Sequence, residues 1–235
     1  MASCFGVRIA GWAHLLEQVE GFVADGGRHT VAYANANVLN AAHDDGQLRA
    51  FLNDADVCYC DGNGVRFAAR LLGDDPPDRR TGADWIRDFA TRAEGRWRVF
   101  WLGGEPGVAE EAARRLRTHH PRLEIATEHG FHRDDVVPIV NAFRPQVVLV
   151  GMGTPLQERW VQAQRDRIDA PVVWCVGGLQ DYVAGRVRRP GPRWLLDHHE
   201  WISRLATDPR RLWKRYLVGN SVFVGRVIAE RLRRE

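Results

Sequence analysis

Asp56-Val57-Cys58-Tyr59-Cys60-Asp61-Gly62-Asn63-Gly64 is the stretch whose reading decides the fold of this chain. Its short apolar run, β-branched and aromatic in character, reads as a buried strand, because such side chains fit a covered, pleated surface. The run stops at an acid followed by two spaced glycines, so the strand delivers one carboxylate to the mouth of a crevice. Partial desolvation there would raise the basicity of Asp61. An acid before glycine also stabilises turns, and the stretch alone leaves both uses open.

Upstream, residues 6–10 and 30–34 read as strands. Between them Leu15, Leu16, Val19, Phe22 and Val23 recur at the spacing of one helical face. The second strand ends at Asn35-Ala36-Asn37, which points an amide toward the crevice of Asp61. Residues 38–54 are helical in pattern, broken near Asp44-Asp45-Gly46. Downstream come a helix over 65–72 and the loop Gly73-Asp74-Asp75-Pro76-Pro77-Asp78, which leads to Arg79-Arg80-Thr81-Gly82 and suits a mobile or substrate-covering segment.

The remaining pattern alternates. Helices are expected over 83–93 and 108–119, through the residues before Phe143, and from Pro155. Strands are expected over 98–102, 123–126, 146–152 and 171–176. The run 146–152 is nearly pure apolar, as in a parallel strand buried on both faces. Strands alternating with helices predict an α/β fold with a mainly parallel sheet flanked by helices.

The 235 residues, 45% hydrophobic and 27% charged, suffice for one sizeable core with a small appendage. Cys4, Cys58, Cys60 and Cys175 lie in apolar runs and read as buried thiols in a reducing compartment. Arg8, His14 and Glu17 interrupt any signal-peptide core, and no apolar run approaches the ~20 residues of a spanning helix, so a soluble or peripheral protein is expected. Charge is uneven. Residues 186–235 carry 13 Lys and Arg against 5 Asp and Glu, net +8, whereas residues 1–185 carry 20 against 25, net −5. A basic tail on an acidic body suits an anionic partner: a lipid headgroup, a diphosphate or nucleic acid.

Three strand ends share one device, glycines before a helix start: Gly103-Gly104, Gly151-Met152-Gly153 and Gly177-Gly178. Beyond the carboxyl ends of parallel strands such junctions admit a nucleotide diphosphate, and each also reads as a plain tight turn. None completes a dinucleotide or P-loop fingerprint. Thr154-Pro155-Leu156-Gln157 fits a capping box, which would account for Gln157 without a ligand. The tail reads as two amphipathic helices, one from Asp208-Pro209 with Leu212, Trp213, Tyr216 and Leu217, the other over 221–234 with Val224, Val227, Ile228 and Leu232 on one side. Docking on the body and contact with an anionic membrane both fit them.

In order along the chain, Asn35, Asp61-Gly62-x-Gly64, Arg79-x-x-Gly82-x-Asp84, Gly103-Gly104 and His129-Gly130-Phe131 resemble the WecG/TagA/CpsF glycosyltransferases. So do Gly151-x-Gly153-x-Pro155-x-Gln157-Glu158, Gly177-Gly178-x-x-Asp181-Tyr182-x-x-Gly185 and Glu200-Trp201-x-x-Arg204-Leu205. The resemblance implies a Rossmann-like core of the GT-E type (1–193), a basic helical appendage (194–235) and an inverting, metal-independent transferase at the inner face of the cell membrane. The implied donor is a UDP-sugar of N-acetylmannosamine type or a related hexose. The implied acceptor is a polyprenyl-diphosphate-linked sugar in cell-surface polysaccharide synthesis.

By position, Asp61 matches the family's catalytic base. Asn35, Arg79 and Gln157 match the sugar and diphosphate pocket, to which the glycines of the three junctions and Asp181 are added. Arg204, Arg211 and Lys214 match basic positions of the appendage that meet diphosphate and membrane. No cofactor, metal or nucleic-acid partner is expected, neither histidine pair (His119-His120, His198-His199) has zinc spacing, and no D-x-D is expected to hold Mg²⁺. Homo-oligomerisation stays open. Tyr33 and Asn63 depart from the family pattern, as does Arg189-Pro190-Gly191-Pro192. The competing class is a non-catalytic nucleotide-binding protein that recruits an anionic partner through its tail. A dinucleotide oxidoreductase lacks its fingerprint.

Overall fold

The structure, a computed structural model, describes residues 2–131, 135–187, 213 and 217–234. The chain starts with an antiparallel hairpin, β1 (Ala2–Cys4) and β2 (Val7–Ile9), turned by Phe5 and Gly6 at φ of 54° and 74°. The strand expected over 6–10 therefore lies outside the main sheet. Val7 and Ile9 are buried while Arg8 is exposed, so β2 has one covered face only. Ala10 alone reaches the main sheet, through a parallel bridge to Tyr59.

The main sheet has six parallel strands: β3 (His29–Ala34), β4 (Val57–Cys60), β5 (Arg98–Gly103), β6 (Glu124–Glu128), β7 (Val147–Gly151) and β8 (Val172–Cys175). Their spatial order is β4-β3-β8-β7-β5-β6. Every residue of β4, β7 and β8 is buried, as β-branched and aromatic runs require when helices cover the sheet. Each large side chain so buried contributes roughly 1.5–3 kcal/mol.

Helices fill the connections. After α1 (Leu15–Asp25) and β3, the helical stretch divides into α2 (Ala36–Asp44) and α3 (Gly46–Asp54). Asp45 makes the break: its Oδ1 accepts from the backbone N–H groups of Gln47 and Leu48 and so caps α3. The next helices are α4 (Asn63–Leu72), α5 (Gly82–Ala93), α6 (Val108–His119), α7 (Val137–Phe143), α8 (Leu156–Gln164) and the short α9 (Leu179–Val183). At the start of α5, Asp84 Oδ2 accepts from Thr81 N and Thr81 Oγ1, each at 3.0 Å. A capping box thus stands there.

The capping box expected at Thr154 is not formed. Pro155 occupies the N-cap of α8 and makes no side-chain cap bond, and Thr154 Oγ1 instead donates to Glu158 Oε1 at 2.8 Å. With Pro155 at the N-cap position, the Thr154 hydroxyl is turned to donate to the Glu158 carboxylate, and Gln157 points into the interior.

The last described helix, α10 (Gly219–Arg234), packs on α2 and α4 through Phe223 and Val227. Arg226 closes the contact with Asp44 at 2.7 Å and with Asn40 O at 2.9 Å, and Glu230 accepts from Phe5 N. The apolar side expected of Val224, Val227, Ile228 and Leu232 is therefore divided. Val227 faces inward, while Val224, Ile228 and Leu232 are exposed. Phe223 decides the rotation, because its ring fits against Phe5 and the backbone at Gly64.

The connections diverge between two neighbouring strands of this sheet: chain leaving β5 turns to β6, whereas chain leaving β7 turns to β8. In open parallel sheets the crevice outside the carboxyl ends at such points receives ligands.

Candidate active site

The parallel register pairs Ala34 with Cys60, so Asn35 and Asp61 leave their strands side by side. Asp61 N donates to Ala34 O at 2.9 Å, which extends the ladder by one bond. Asn35 is the N-cap of α2, its Oδ1 accepting from Asn37 N and Val38 N at 3.1 Å each. Those bonds fix the amide so that Nδ2 donates to Asp61 Oδ2 at 3.3 Å. Two residues 26 apart in sequence thus form one half-buried polar unit at the crevice mouth.

The three glycine junctions touch one another. A Cβ on Gly103, whose φ is 147°, would lie 2.2 Å from Gly151 O, and one on Gly151 would lie 2.6 Å from Gly177 O. Glycine is required here for close backbone approach across β5, β7 and β8 as well as for turning. Gly104 N donates to Gly151 O, and Gly130 N donates to Gly104 O, which draws the end of β6 into the group. Gly153 faces open space, and Gly178 begins α9, on which Asp181 lies.

Behind these junctions runs a buried polar chain that the sequence does not announce. Gln157, fully buried, accepts from Gly177 N through Oε1 at 3.0 Å and donates through Nε2 to Glu158 Oε1 at 2.7 Å. Nε2 also lies 3.4 Å from Tyr33 Oη, which in turn is 3.4 Å from Thr154 Oγ1. Gln180 donates to Gly151 O at 2.6 Å. Burial pushes the Glu158 carboxyl above its usual range, against the hydrogen bonds from Gln157 and Thr154 that favour its charged form. Gln157 therefore braces the loop after β8 and positions the crevice floor. Tyr33, the bulky departure noted in the sequence, reaches from β3 to the loops after β7 and β8.

Gln180 is a residue sequence reasoning missed, and Glu158 was quoted within the family motif without a role. Leu156 is exposed while the adjacent Gln157 and Glu158 are buried, an inversion of the usual hydrophobic order that no periodicity reveals.

Arg79 follows the Pro-rich loop and comes near the same carboxyl edge. Burial pushes the Cys60 thiol up, to about 11 in all, and the charges of Arg79 and Arg66 are among the smaller effects that pull it down. Asn35, Asp61 and Arg79 thus belong to one end of the sheet, and the glycine junctions, Gln157 and Asp181 lie along the same edge toward β5. Arg204, Arg211 and Lys214 lie outside the described residues, as does the boundary expected at 193/194.

Among the described residues no group of three His, Cys, Asp or Glu side chains could hold a metal ion, and no helix is long and apolar enough to cross a membrane. Asp54-Ala55-Asp56 does spell a D-x-D, which sequence reasoning passed over. It sits at the amino end of β4, where Asp56 accepts from Thr30 N and pairs with His29, far from the crevice.

The chain matches the Glycosyl transferase WecG/TagA/CpsF family over residues 2–235. It is 30% identical over 191 residues to an N-acetylglucosaminyldiphosphoundecaprenol N-acetyl-β-D-mannosaminyltransferase of Bacillus spizizenii, covering 80% of this chain and 74% of that protein. It is 28% identical over 207 residues to a Staphylococcus aureus protein of the same name, covering 86% of this chain and 80% of the relative.

Proposed function

The chain belongs to the WecG/TagA/CpsF glycosyltransferase family, and from that premise we propose that it moves a sugar of N-acetylmannosamine type, or a related hexose, from a UDP-sugar to a polyprenyl-diphosphate-linked sugar. The transfer inverts the anomeric centre, needs no metal, and serves cell-surface polysaccharide synthesis. The names of its relatives support the acceptor and the sugar.

The observation that carries the reading is the Asn35–Asp61 pair at the carboxyl edge of the sheet, beside a row of contacting glycines. Asp61 takes the proton of the acceptor hydroxyl as that oxygen attacks the anomeric carbon. The bond from that carbon to the donor's β-phosphate oxygen breaks, and its electron pair leaves on UDP. Asn35 holds the carboxylate in register for the attack. Backbone at the glycine junctions receives the nucleotide diphosphate, and arginines neutralise the charge that develops on it. Arg204, Arg211 and Lys214 of the appendage are proposed to supply part of that charge at an anionic membrane surface.

The test is Asp61→Asn, assayed with a panel of UDP-sugars and a polyprenyl-diphosphate-sugar acceptor, the lipid product identified by mass. Turnover is expected to vanish while UDP binding measured by calorimetry is retained. Near-normal transfer by the variant would overturn the base assignment.

A further inference from the structure

A cleft of about 570 Å³ is lined by Trp12, His14, Arg66, Arg79, Arg80 and Arg92 together with a few carboxylates, Asp78 among them. Asp61 is not part of its wall. Arg79 belongs to both places, and Arg66 stands five residues after Asp61, in the first turn of α4.

The cations of this cleft are not equivalent. Arg80 pairs with Asp88 at 3.0 Å, Arg92 with Glu20 at 2.7 Å, and His14 with Glu17 at 3.0 Å. Arg66 has no hydrogen bond or ion pair among the described residues, and its Nε is shielded from water without a partner. A guanidinium held so, in a concave wall with three other arginines, presents donors whose fork matches the oxygens of a phosphate group. Asp78 shares the wall but is exposed and makes no ion pair with Arg66.

The cleft is apart from the glycine junctions. Those junctions lie at the ends of β8, β7 and β5, whereas the wall of the cleft comes from the stretch 12–17, Arg66 of α4, residues 78–80, and Asp88 and Arg92 of α5, with no junction glycine in it. Asp61, at the end of β4, is five residues before Arg66.

We propose that Arg66, together with Arg79 and the cleft they share, forms a second diphosphate subsite, which receives the diphosphate of the lipid-linked acceptor and not that of the nucleotide donor. The assignment to the acceptor rests on the transfer reaction proposed above; the subsite itself rests on the geometry. The acceptor's sugar hydroxyl would then reach Asp61 from the cleft as the donor's anomeric carbon reaches it from the glycine junctions.

Calorimetric titration with inorganic pyrophosphate in saturating UDP tests the subsite without any turnover, because UDP fills the donor site. Pyrophosphate is expected to bind the wild type and to bind Arg66→Met about tenfold more weakly, with Arg66→Lys between them. UDP affinity and the thermal midpoint should stay near wild type in both variants. In the transfer assay the KM for the lipid acceptor should rise about tenfold in Arg66→Met, with the KM for the UDP-sugar unchanged. No pyrophosphate binding in saturating UDP, or equal binding by wild type and Arg66→Met, overturns the subsite. A rise in the donor KM in place of the acceptor KM assigns the residue to the nucleotide and overturns the acceptor assignment. Pyrophosphate binding that depends on Arg66 in a protein showing no transfer would sustain the subsite and defeat the transfer reading alone.

Discussion

Asn35 serves two masters at once: Oδ1 caps α2 at Asn37 N and Val38 N, and Nδ2 donates to Asp61 Oδ2 at 3.3 Å. The start of a helix thereby aims the group proposed as the base. Asn35→Asp keeps the cap, since Asp caps as well as Asn, but sets two carboxylates within hydrogen-bond distance. Like charges so close share a proton, which raises the apparent pKa of the pair. The acid limb of the transfer rate against pH is expected to move to higher pH in this variant, with a thermal midpoint close to wild type. An unmoved limb would show that Asn35 does not act on Asp61.

Gly151→Ala probes the contact between junctions. The added Cβ would lie 2.2 Å from Gln180 Oε1 and 2.6 Å from Gly177 O, and backbone cannot yield as a flexible side chain does. A loss of about 1–3 kcal/mol is expected, with weakened UDP binding. Gly21→Ala, where the new methyl meets nothing within 4 Å inside α1, should be neutral or stabilising by up to ~1 kcal/mol. Urea denaturation of the pair measures both, and equal behaviour would contradict the close approach.

Glu158 gives a pH signature with an unusual sign. Burial raises its pKa in the folded chain above the ordinary 4.5, so the folded state holds this proton more tightly than the unfolded state. Its contribution is complete below the unfolded value and is lost as pH rises through the folded one. Glu158→Gln removes the titration. The stability of wild type relative to the variant should therefore fall as pH rises above the ordinary value of 4.5 for Glu, measured by urea denaturation up to about pH 8. A difference that is flat, or that grows with pH, would mean that the hydrogen bonds from Thr154 and Gln157 outweigh desolvation.

Phe223→Ala tests the docking of α10. The ring is 2% exposed and meets Phe5 edge to face at 5.7 Å. A cost of about 3–5 kcal/mol is expected. Ile228→Ser, on the exposed side of the same helix, should change stability by no more than about 0.5 kcal/mol. Chemical denaturation of both variants reads this out, and comparable losses would place the helix in a different rotation.

Much of the fold was legible. The boundaries at residues 44–46, the strand entering Asp61 and the run ending at Gly151 follow from local chemistry: a capping acid, a covered β-branched run, a glycine that stops it. Asp61 and Asn35 were legible as candidates because each ends a strand. That Asn35 aims Asp61 was not, since the pairing depends on the register between β3 and β4.

The failures share a cause. Thr154 reads as a cap, yet a buried carboxylate four residues on takes its hydroxyl. Val224, Val227, Ile228 and Leu232 read as one face, yet Phe223 turns the helix so that three of them meet solvent. Arg66 reads as one arginine of many, and only the ion pairs of its neighbours leave it distinct.

By itself the sequence determined the α/β class and the family and offered Asn35 and Asp61 as candidates, because these depend on side-chain types and their order along the chain. Only the tertiary structure decided which glycines must touch, which face of α10 is covered and which arginine of the cleft has no ion pair among the described residues. Those are properties of contacts between segments distant in the chain, and no periodicity within one segment encodes which neighbour will take up its hydrogen bonds, its charge or its volume.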